Sequence, residues 1–585
     1  MSGPEMVVAA DAVIDFLARK GITAFHNYPG GTIAPLLDAC DRFGLKVYTS
    51  RHEQGAGYAA LAQAKLSSLP GVVAVTSGPG VTNVLTAVAD AYFDSIPMLV
   101  FTGQVGTADL PNGRMLRQTG FQEVDTPALM KPVTKAQFQP RSAQELSQII
   151  PQAWDIALSG RKGPVSIDLP MDVQRAAWNV PFEMKSGIID AHYASSEQVD
   201  KFCIELIQAI SRASRPVIIC GHGMIDNGLP NELSAIREIW PAPVSHSLPG
   251  IGVVDSNDSG CLGFHGHTGS QLAGKAIAEA DLLLVLGSRL DIRQTGTLKD
   301  QFASKAEIFR IDFDEDELTY TRISHHHALK DSLQHVLPLI RKSVCSNQAV
   351  IPALHSWLAD IDKWRQQYAW PYPDYSGMSP EYIVRKLSDA SPKEVIVTTG
   401  VGAHQHWVAR HFRFVLPERK LFTSSGHGAM GFDLPTAIGA AIHAPGNKVL
   451  CIAGDGSIQM NIQELGMLSE LDLDVKIIVL DNHRLALVSQ FQLMNWATDT
   501  ACGNKSSPDF VTIARGYGVP GFYCDSAEQF ESILPDFINA RGPALLHIHI
   551  DARHDVLPML LGGQSTDKMW PYYDMQGKPR ELDNE

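Results

Sequence analysis

Short apolar runs that stop abruptly at Gly, Ser or Thr recur along this chain, and they restrict it to a parallel α/β architecture. Val72-Val73-Ala74-Val75 runs into Thr76-Ser77-Gly78, and Met98-Leu99-Val100-Phe101 into Thr102-Gly103, with amphipathic stretches between the runs. A strand that is apolar on both faces must be covered on both faces, and helices crossing over a parallel sheet do this. The alternation returns with Pro216-Val217-Ile218-Ile219-Cys220, Leu282-Leu283-Leu284-Val285-Leu286 and Ile308-Phe309-Arg310-Ile311-Asp312. It returns again with Val395-Ile396-Val397, Val449-Leu450-Cys451-Ile452 and Lys476-Ile477-Ile478-Val479-Leu480. At 585 residues the chain is too long for one ordinary core. The expected fold is three doubly wound parallel-sheet α/β domains, at 1–185, 196–345 and 378–550, followed by an irregular arm at 551–585. Residues 171–195 and the stretch around Trp370-Pro371-Tyr372-Pro373 read as connectors.

Charge narrows the function classes. The 48 basic and 63 acidic residues give a formal charge of −15, which disfavours a general nucleic-acid or anionic-membrane binder. No stretch approaches the roughly 18 apolar residues of a membrane span. The eight cysteines are scattered without a CxxC pair, which suits reduced thiols in a cytoplasmic protein. Three adjacent histidines, His325-His326-His327, do not converge on one ion, and they read as a solvated turn before a helix at Ala328.

The chemistry-bearing segment is Val449 to Ser457, a buried strand running into Gly454-Asp455-Gly456 with a helix after it. Glycines let backbone N–H groups approach phosphate oxygens, and a helix start adds a favourable dipole. Asp455 offers a hard oxygen to Mg²⁺, which takes few protein ligands alongside phosphate. The next strand ends at Asp481-Asn482, so Asn482 reaches the same carboxyl edge, where ligands of parallel sheets gather. A metal-free Asp-Asn turn is the competing reading. Far upstream, Arg51-His52-Glu53-Gln54-Gly55-Ala56-Gly57 follows the strand-like Lys46 to Thr49, and by itself Glu53 is an ordinary acid at a helix start.

Together these segments resemble the thiamine-diphosphate decarboxylase and carboligase superfamily, specifically the catalytic subunit of acetolactate (acetohydroxyacid) synthase. The likeness runs through Tyr28-Pro29-Gly30-Gly31, His52 to Gly57, Thr76 to Asn83, Phe121-Gln122-Glu123, Gly428 to Phe432, Gly454 to Ser457 and Met460 to Leu465. It implies that Glu53 hydrogen-bonds the cofactor's pyrimidine ring and favours the imino tautomer that activates C2. It implies Gln122 and Gly31 over the reacting carbonyl. Pro29, Gly30, Thr76, Asn83, Gly402, His404, Gly428, Met430, Gly454, Gly456, Ser457, Leu485 and Leu487 would surround the cofactor. Asp455, Asn482 and Arg484 would form the Mg²⁺ set, and Met430 would wedge the cofactor into its bent form. In the middle block Gly221, Gly223, His265, Gly287, Arg289, Arg293 and Asp312 resemble FAD-binding segments, with the flavin structural. The resemblance implies a homodimer or homotetramer whose sites combine two chains, pyruvate as the expected donor, and room for a regulatory small subunit.

The chain departs from that pattern where the acceptor is chosen. Leu487 and Phe491 stand where the family has Met and Trp, the loop 106–120 with Arg114 and Arg117 is longer than usual, and His427 and Asp433 replace small or apolar residues. An acetolactate synthase-like carboligase is therefore expected, with three alternatives. These are a carboligase using a keto sugar, aldehyde or aromatic 2-oxo acid as acceptor, a simple decarboxylase, and a catalytically silent paralogue.

Overall fold

The apolar runs become strands, most of them buried on both faces. The computed structural model describes residues 7–182, 193–225, 228–320, 323, 326–369, 377–503, 506–574 and 576–580. The first sheet comprises β1 (Ala24–Tyr28), β2 (Lys46–Thr49), β3 (Gly71–Val75), β4 (Met98–Gln104), β5 (Ala136–Phe138) and β6 (Pro164–Pro170). All its pairs are parallel, in the order β2-β1-β3-β4-β6-β5. The second comprises β7 (Pro216–Cys220), β8 (Val244–His246), β9 (Cys261–Phe264), β10 (Leu282–Leu286), β11 (Glu307–Asp312) and β12 (His327–Lys330). The third comprises β13 (Val395–Thr399), β14 (Arg419–Thr423), β15 (Lys448–Gly454), β16 (Val475–Asp481), β17 (Gly521–Cys524) and β18 (Ala544–His549). Its order, β14-β13-β15-β16-β18-β17, repeats the succession of the first sheet. The middle sheet differs: β9-β8-β7-β10-β11-β12 is the 3-2-1-4-5-6 order of dinucleotide-binding sheets. The doubly wound parallel fold expected from the apolar runs is the one observed.

The first and third sheets meet through helices. The helix Glu53–Leu66 is buried along most of its length because it lies between its own sheet and the helix Asp433–His443. Small residues permit this approach: a Cβ on Gly439 would come within 2.5 Å of the Ala59 carbonyl oxygen. One apolar cluster accordingly includes Val73 and Val100 of the first sheet with Val449, Ile477 and Val479 of the third. At the same contact His26 and His443 approach Nε2 to Nε2 at 2.9 Å. Burial, with His443 nearby, pushes His26 well below the usual imidazole range, and burial pushes His443 down to about 4.

Two local expectations need correction. His327 begins a parallel edge strand and not a turn before a helix; its ring stacks on Phe309 at 4.3 Å, and its two nitrogens lie 3.2 Å from Glu205 and Glu307. His325 and the segment Trp370 to Pro373 lie outside the described residues. The connector before that segment holds a helix, His355–Gln367, whose Trp357 is buried against the middle sheet and donates to the Pro216 carbonyl at 3.0 Å. The C-terminal arm is not wholly irregular: β19 (Met559–Leu560) and β20 (Met569–Trp570) form an antiparallel hairpin. All eight cysteines are free, and Cys345 is the exposed one. Among the described residues no helix is long and apolar enough to cross a membrane.

Candidate functional site

Two groups of residues gather at carboxyl ends of parallel strands, one on the first sheet and one on the third. On the first, the turn after β1 holds Pro29 and Gly31 at the surface, and Gly30 lies against Thr76, where a Cβ would collide at 2.4 Å. Thr32 and Thr76 share a hydroxyl hydrogen bond of 2.9 Å that ties the turn after β1 to the turn after β3. Glu53 opens its helix and is buried, and its Oε2 accepts from Asn83 Nδ2 at 2.9 Å. Gly78 adopts φ +62 at the start of the helix Pro79–Phe93, and Gln122 packs beneath it. Gln122 itself has φ +62, a strained value for a side-chain-bearing residue and one typical of functional turns. Thus Glu53 meets Asn83, Gly30 meets Thr76, and Gln122 lies against Gly78, all at the carboxyl ends of β1, β2, β3 and β4. The loop 106–120 folds back on this turn, with Thr119 N–H donating to Glu123 at 3.1 Å, while Arg114 and Arg117 are exposed.

On the third sheet the β15–β16 register pairs Gly454 with Leu480, so Asp455 and Asn482 emerge at one edge, both buried. A Cβ on Gly456 would lie 2.6 Å from Leu485 and 3.2 Å from the Met430 methyl, so these two side chains close over the glycine turn. His404 packs between Gly402 and Gly454; a Cβ on either would come within 2.9 Å of its ring. Burial pushes His404 down to about 3, leaving it neutral, and its Nε2 is buried with no partner. Ser457 Oγ accepts from Gly431 N–H at 3.0 Å, which fixes the Met430 loop to the glycine turn, and Gly428 sits at φ +79 in that loop. Such a cradle, a glycine turn that side chains would obstruct and a helix start beside it, fits a diphosphate. Asp455 with Asn482 is the sparse oxygen set Mg²⁺ takes beside phosphate. The Arg484 guanidinium has no acceptor atom, so only its main-chain carbonyl is available to a cation.

Leu487 and Phe491 part company. Leu487 is half-buried against the core of the third sheet, whereas Phe491 is 46% exposed and meets Trp496 edge-on at 5.4 Å. Leu485, not Leu487, lies over Gly456. Asp433 is fully buried and accepts from Ser457 Oγ at 2.6 Å. His427 is exposed and stacks on Phe93 at 5.7 Å.

Sequence reasoning missed a buried polar network behind these groups. Asp90 accepts from Tyr58 at 3.0 Å and from Ser424 at 2.6 Å, and Ser424 in turn accepts from the N–H groups of Gly428 and Ala429. Burial, with Asp94 nearby, pushes Asp90 up to about 7. Glu464 accepts from Arg51 N–H at 2.9 Å, and burial pushes it up to about 7. The available signal was the single charged residue of the helix Pro79–Phe93, set in the apolar run Ala87-Val88-Ala89-Asp90-Ala91.

A second cleft lies at the switch point of the middle sheet, between the ends of β7 and β10. It is a cavity of about 570 Å³ that also reaches Ser95 of the first domain and Gly428 of the third. Gly221 and Gly287 touch backbone to backbone, since a Cβ on Gly221 would come within 2.0 Å of the Gly287 carbonyl oxygen; Gly223 lies beside them. Arg289, Arg293 and Asp312 line the cleft. His265 lines it as well, but with both ring nitrogens taken, by Ser245 and Gln294 at 3.0 Å each, and it is pushed down to about 4 by burial. It is a neutral wall and not a cation. The switch point, the close glycines and the cationic lining fit a dinucleotide such as FAD.

Three sequence-family models match the chain: the thiamine pyrophosphate enzyme N-terminal TPP binding domain over residues 7–129, the central domain over 204–338, and the C-terminal TPP binding domain over 400–548. The chain is 36% identical over 580 residues to the acetolactate synthase isozyme 2 large subunit of Escherichia coli, covering 97% of this chain and 99% of that protein. It is 34% identical to the acetolactate synthase large subunit of Parasynechococcus marenigrum, covering 97% and 91%. It is 33% identical to the mitochondrial acetolactate synthase catalytic subunit of Saccharomyces cerevisiae, covering 95% and 82%.

Proposed function

Because the chain belongs to the acetolactate synthase large-subunit family of thiamine pyrophosphate enzymes, we propose that it decarboxylates pyruvate and ligates the two-carbon unit to a carbonyl acceptor. With pyruvate in both places, two pyruvates and one proton give acetolactate and CO₂. The observation that carries this reading is the pairing of two cradles: Glu53 held by Asn83 on one sheet, and Gly456 under Met430 and Leu485 beside Asp455 on the other.

Bound thiamine diphosphate supplies the electron sink for decarboxylation and carbon–carbon bond formation. The chain's residues do the rest. Asp455 and the Asn482 side chain, with the Arg484 carbonyl, would hold Mg²⁺, and the backbone N–H groups of the Gly454–Gly456 turn would meet the diphosphate oxygens beside the His404 ring. Met430 and Leu485 would press on the cofactor's middle. With Glu53 Oε2 fixed by Asn83, its Oε1 is the atom left to exchange a proton with the pyrimidine ring. Gln122 would orient the substrate carbonyl from its turn below Gly78.

A homodimer is the smallest assembly in this reading, a homotetramer the next. Met115, Phe121 and Trp496 are 101%, 86% and 64% exposed, and apolar surface of this kind suits burial against a second copy. The relatives named large subunits support a regulatory small subunit as partner. The middle-sheet cleft supports a structural FAD, and the eight unpaired cysteines a cytoplasmic location. Incubation of the purified protein with pyruvate, thiamine diphosphate and Mg²⁺ is expected to yield CO₂ and acetolactate from a yellow, flavin-containing protein. Absence of CO₂ would overturn the enzymatic reading; CO₂ without acetolactate would replace carboligation by plain decarboxylation or another acceptor.

A further inference from the structure

The helix Ala486–Trp496 carries Leu487 and Phe491, and its start is tied to the C-terminal arm by charge and by backbone. The Arg484 guanidinium faces the arm: Nη2 donates to Asp555 Oδ1 at 2.5 Å and Nη1 donates to Ser489 Oγ at 3.0 Å. One turn further, Gln490 and Val556 exchange two hydrogen bonds, Nε2 to the Val556 carbonyl at 3.0 Å and the Val556 N–H to Oε1 at 2.9 Å. Ser489, Gln490 and Val556 are buried, and the Arg484 side chain is only 11% exposed. Asp555 is 35% exposed, so the pair is dry on the arginine side, where the Ser489 bond and the buried Gln490–Val556 exchange back it up.

The arm is itself fixed on its far side. Arg410 of the third domain donates to the carbonyls of Leu557 and Pro558 and also to the Thr268 carbonyl of the middle domain. Leu560 N–H donates to the His267 carbonyl at 2.7 Å, and Gln271 donates to Asp567 and accepts from Met569 N–H. Residues 555–556 therefore act as a post standing on two domains. Phe491 is half-exposed, with an edge contact to Trp496 from its own helix, so the placement of the helix decides where its ring stands.

We propose that Asp555, through Arg484 and alongside the Gln490–Val556 exchange, is a positioning residue that sets the acceptor side of the site. It governs the ligation half of the reaction: Asp555 touches neither Glu53, Asp455 nor Gly456, and the Arg484 main chain, whose carbonyl would face Mg²⁺, is held separately by its bridge to Gly503 and by the Leu485 N–H donating to the Cys502 carbonyl at 2.8 Å. In the first half the donor's C1–C2 bond breaks and CO₂ leaves. In the second, the donor's C2 bonds to the acceptor's carbonyl carbon and the acceptor oxygen takes a proton. If the acceptor is misplaced, the donor's C2 takes a proton instead, and pyruvate plus one proton ends as acetaldehyde and CO₂. The proposal rests on the carboligase reading.

The test uses the full-length holoenzyme with pyruvate and measures total CO₂ together with the acetolactate-to-acetaldehyde ratio. Asp555→Ala is expected to keep CO₂ release within about twofold while the ratio falls roughly tenfold or more, as displacement of an acceptor by an ångström does. Asp555→Glu, which keeps the carboxylate, is expected to recover most of the ratio. Asp555→Asn, nearly isosteric, serves if the alanine variant does not fold. An unchanged ratio in a folded variant lacking the carboxylate, or CO₂ and acetolactate falling in parallel, overturns the proposal. If the unaltered protein releases no CO₂ from pyruvate, the carboligase reading itself fails and the positioning role fails with it.

Discussion

The first and third sheets share one strand order and differ in what stands at the ends of equivalent strands. After the first strand of each lies a glycine turn: Pro29-Gly30-Gly31 after β1, and Gly400-Val401-Gly402 after β13. After the third strand in chain order the turns diverge. Thr76-Ser77-Gly78 after β3 brings neutral hydroxyls and a tight turn, whereas Asp455-Gly456 after β15 brings a carboxylate and a glycine covered by Leu485 and Met430. After the fourth, a long loop ending at Gln122 faces a short one led by Asn482. One topology thus delivers three turns to one edge twice over. In the proposed function the residues at those turns would make one edge a place for proton transfer and substrate contact, and the other a place for phosphate and metal.

That division of labour can be broken from either side. The largest effect is expected from Glu53→Gln, which keeps the shape of the first edge but removes the exchangeable carboxyl proton. Turnover should fall about 10²–10⁴-fold, the range of a lost general acid–base group, while cofactor affinity measured by fluorescence quenching stays near that of the unaltered protein. Loss of cofactor binding instead would move Glu53 to the binding side. Asp455→Ala is the converse. Changing groups that merely support a metal ligand weakens metal binding about 10–100-fold, so losing the ligand itself should weaken Mg²⁺-dependent cofactor binding at least that much. Normal affinity with low turnover would contradict the assignment.

The smallest effect concerns the contact between the two domains. His26 and His443 are held neutral, with folded values below the ordinary imidazole value of 6.5. The unfolded chain therefore binds more protons as the pH falls, so the pair's contribution is complete above about pH 6.5 and drains away towards pH 4. Replacing His443 by Gln should flatten the melting temperature across that interval by a few degrees relative to the unaltered protein. Identical slopes in the two proteins would remove the pair as a source of acid sensitivity.

Much of this was legible in the chain. The buried strands announce themselves because a parallel sheet must be apolar on both faces, and the Gly454–Gly456 turn because phosphate approach excludes side chains. Gln122, Glu53 and Asn83 were readable as separate motifs, and their meeting followed from the resemblance. Asp90 was not singled out, since one acid in an apolar helix carries no local mark of its partners Tyr58 and Ser424. The strand at His327 was missed because a short polar edge strand lacks the apolar run that marks its neighbours, and of Leu485 and Leu487, both read at the cofactor, it is Leu485 that lies over Gly456.

The sequence by itself determined the α/β class, the glycine turns and the kinds of atom at the strand ends, because these depend on residues adjacent in the chain. Only the tertiary structure decided that Met430 and Leu485 close over Gly456, that His404 sits between two turns, and that Arg484 faces Asp555 of the arm. Such contacts join segments far apart in sequence. They follow from strand order and from helices packing at small residues such as Gly439, and neither leaves a period or a motif in the chain.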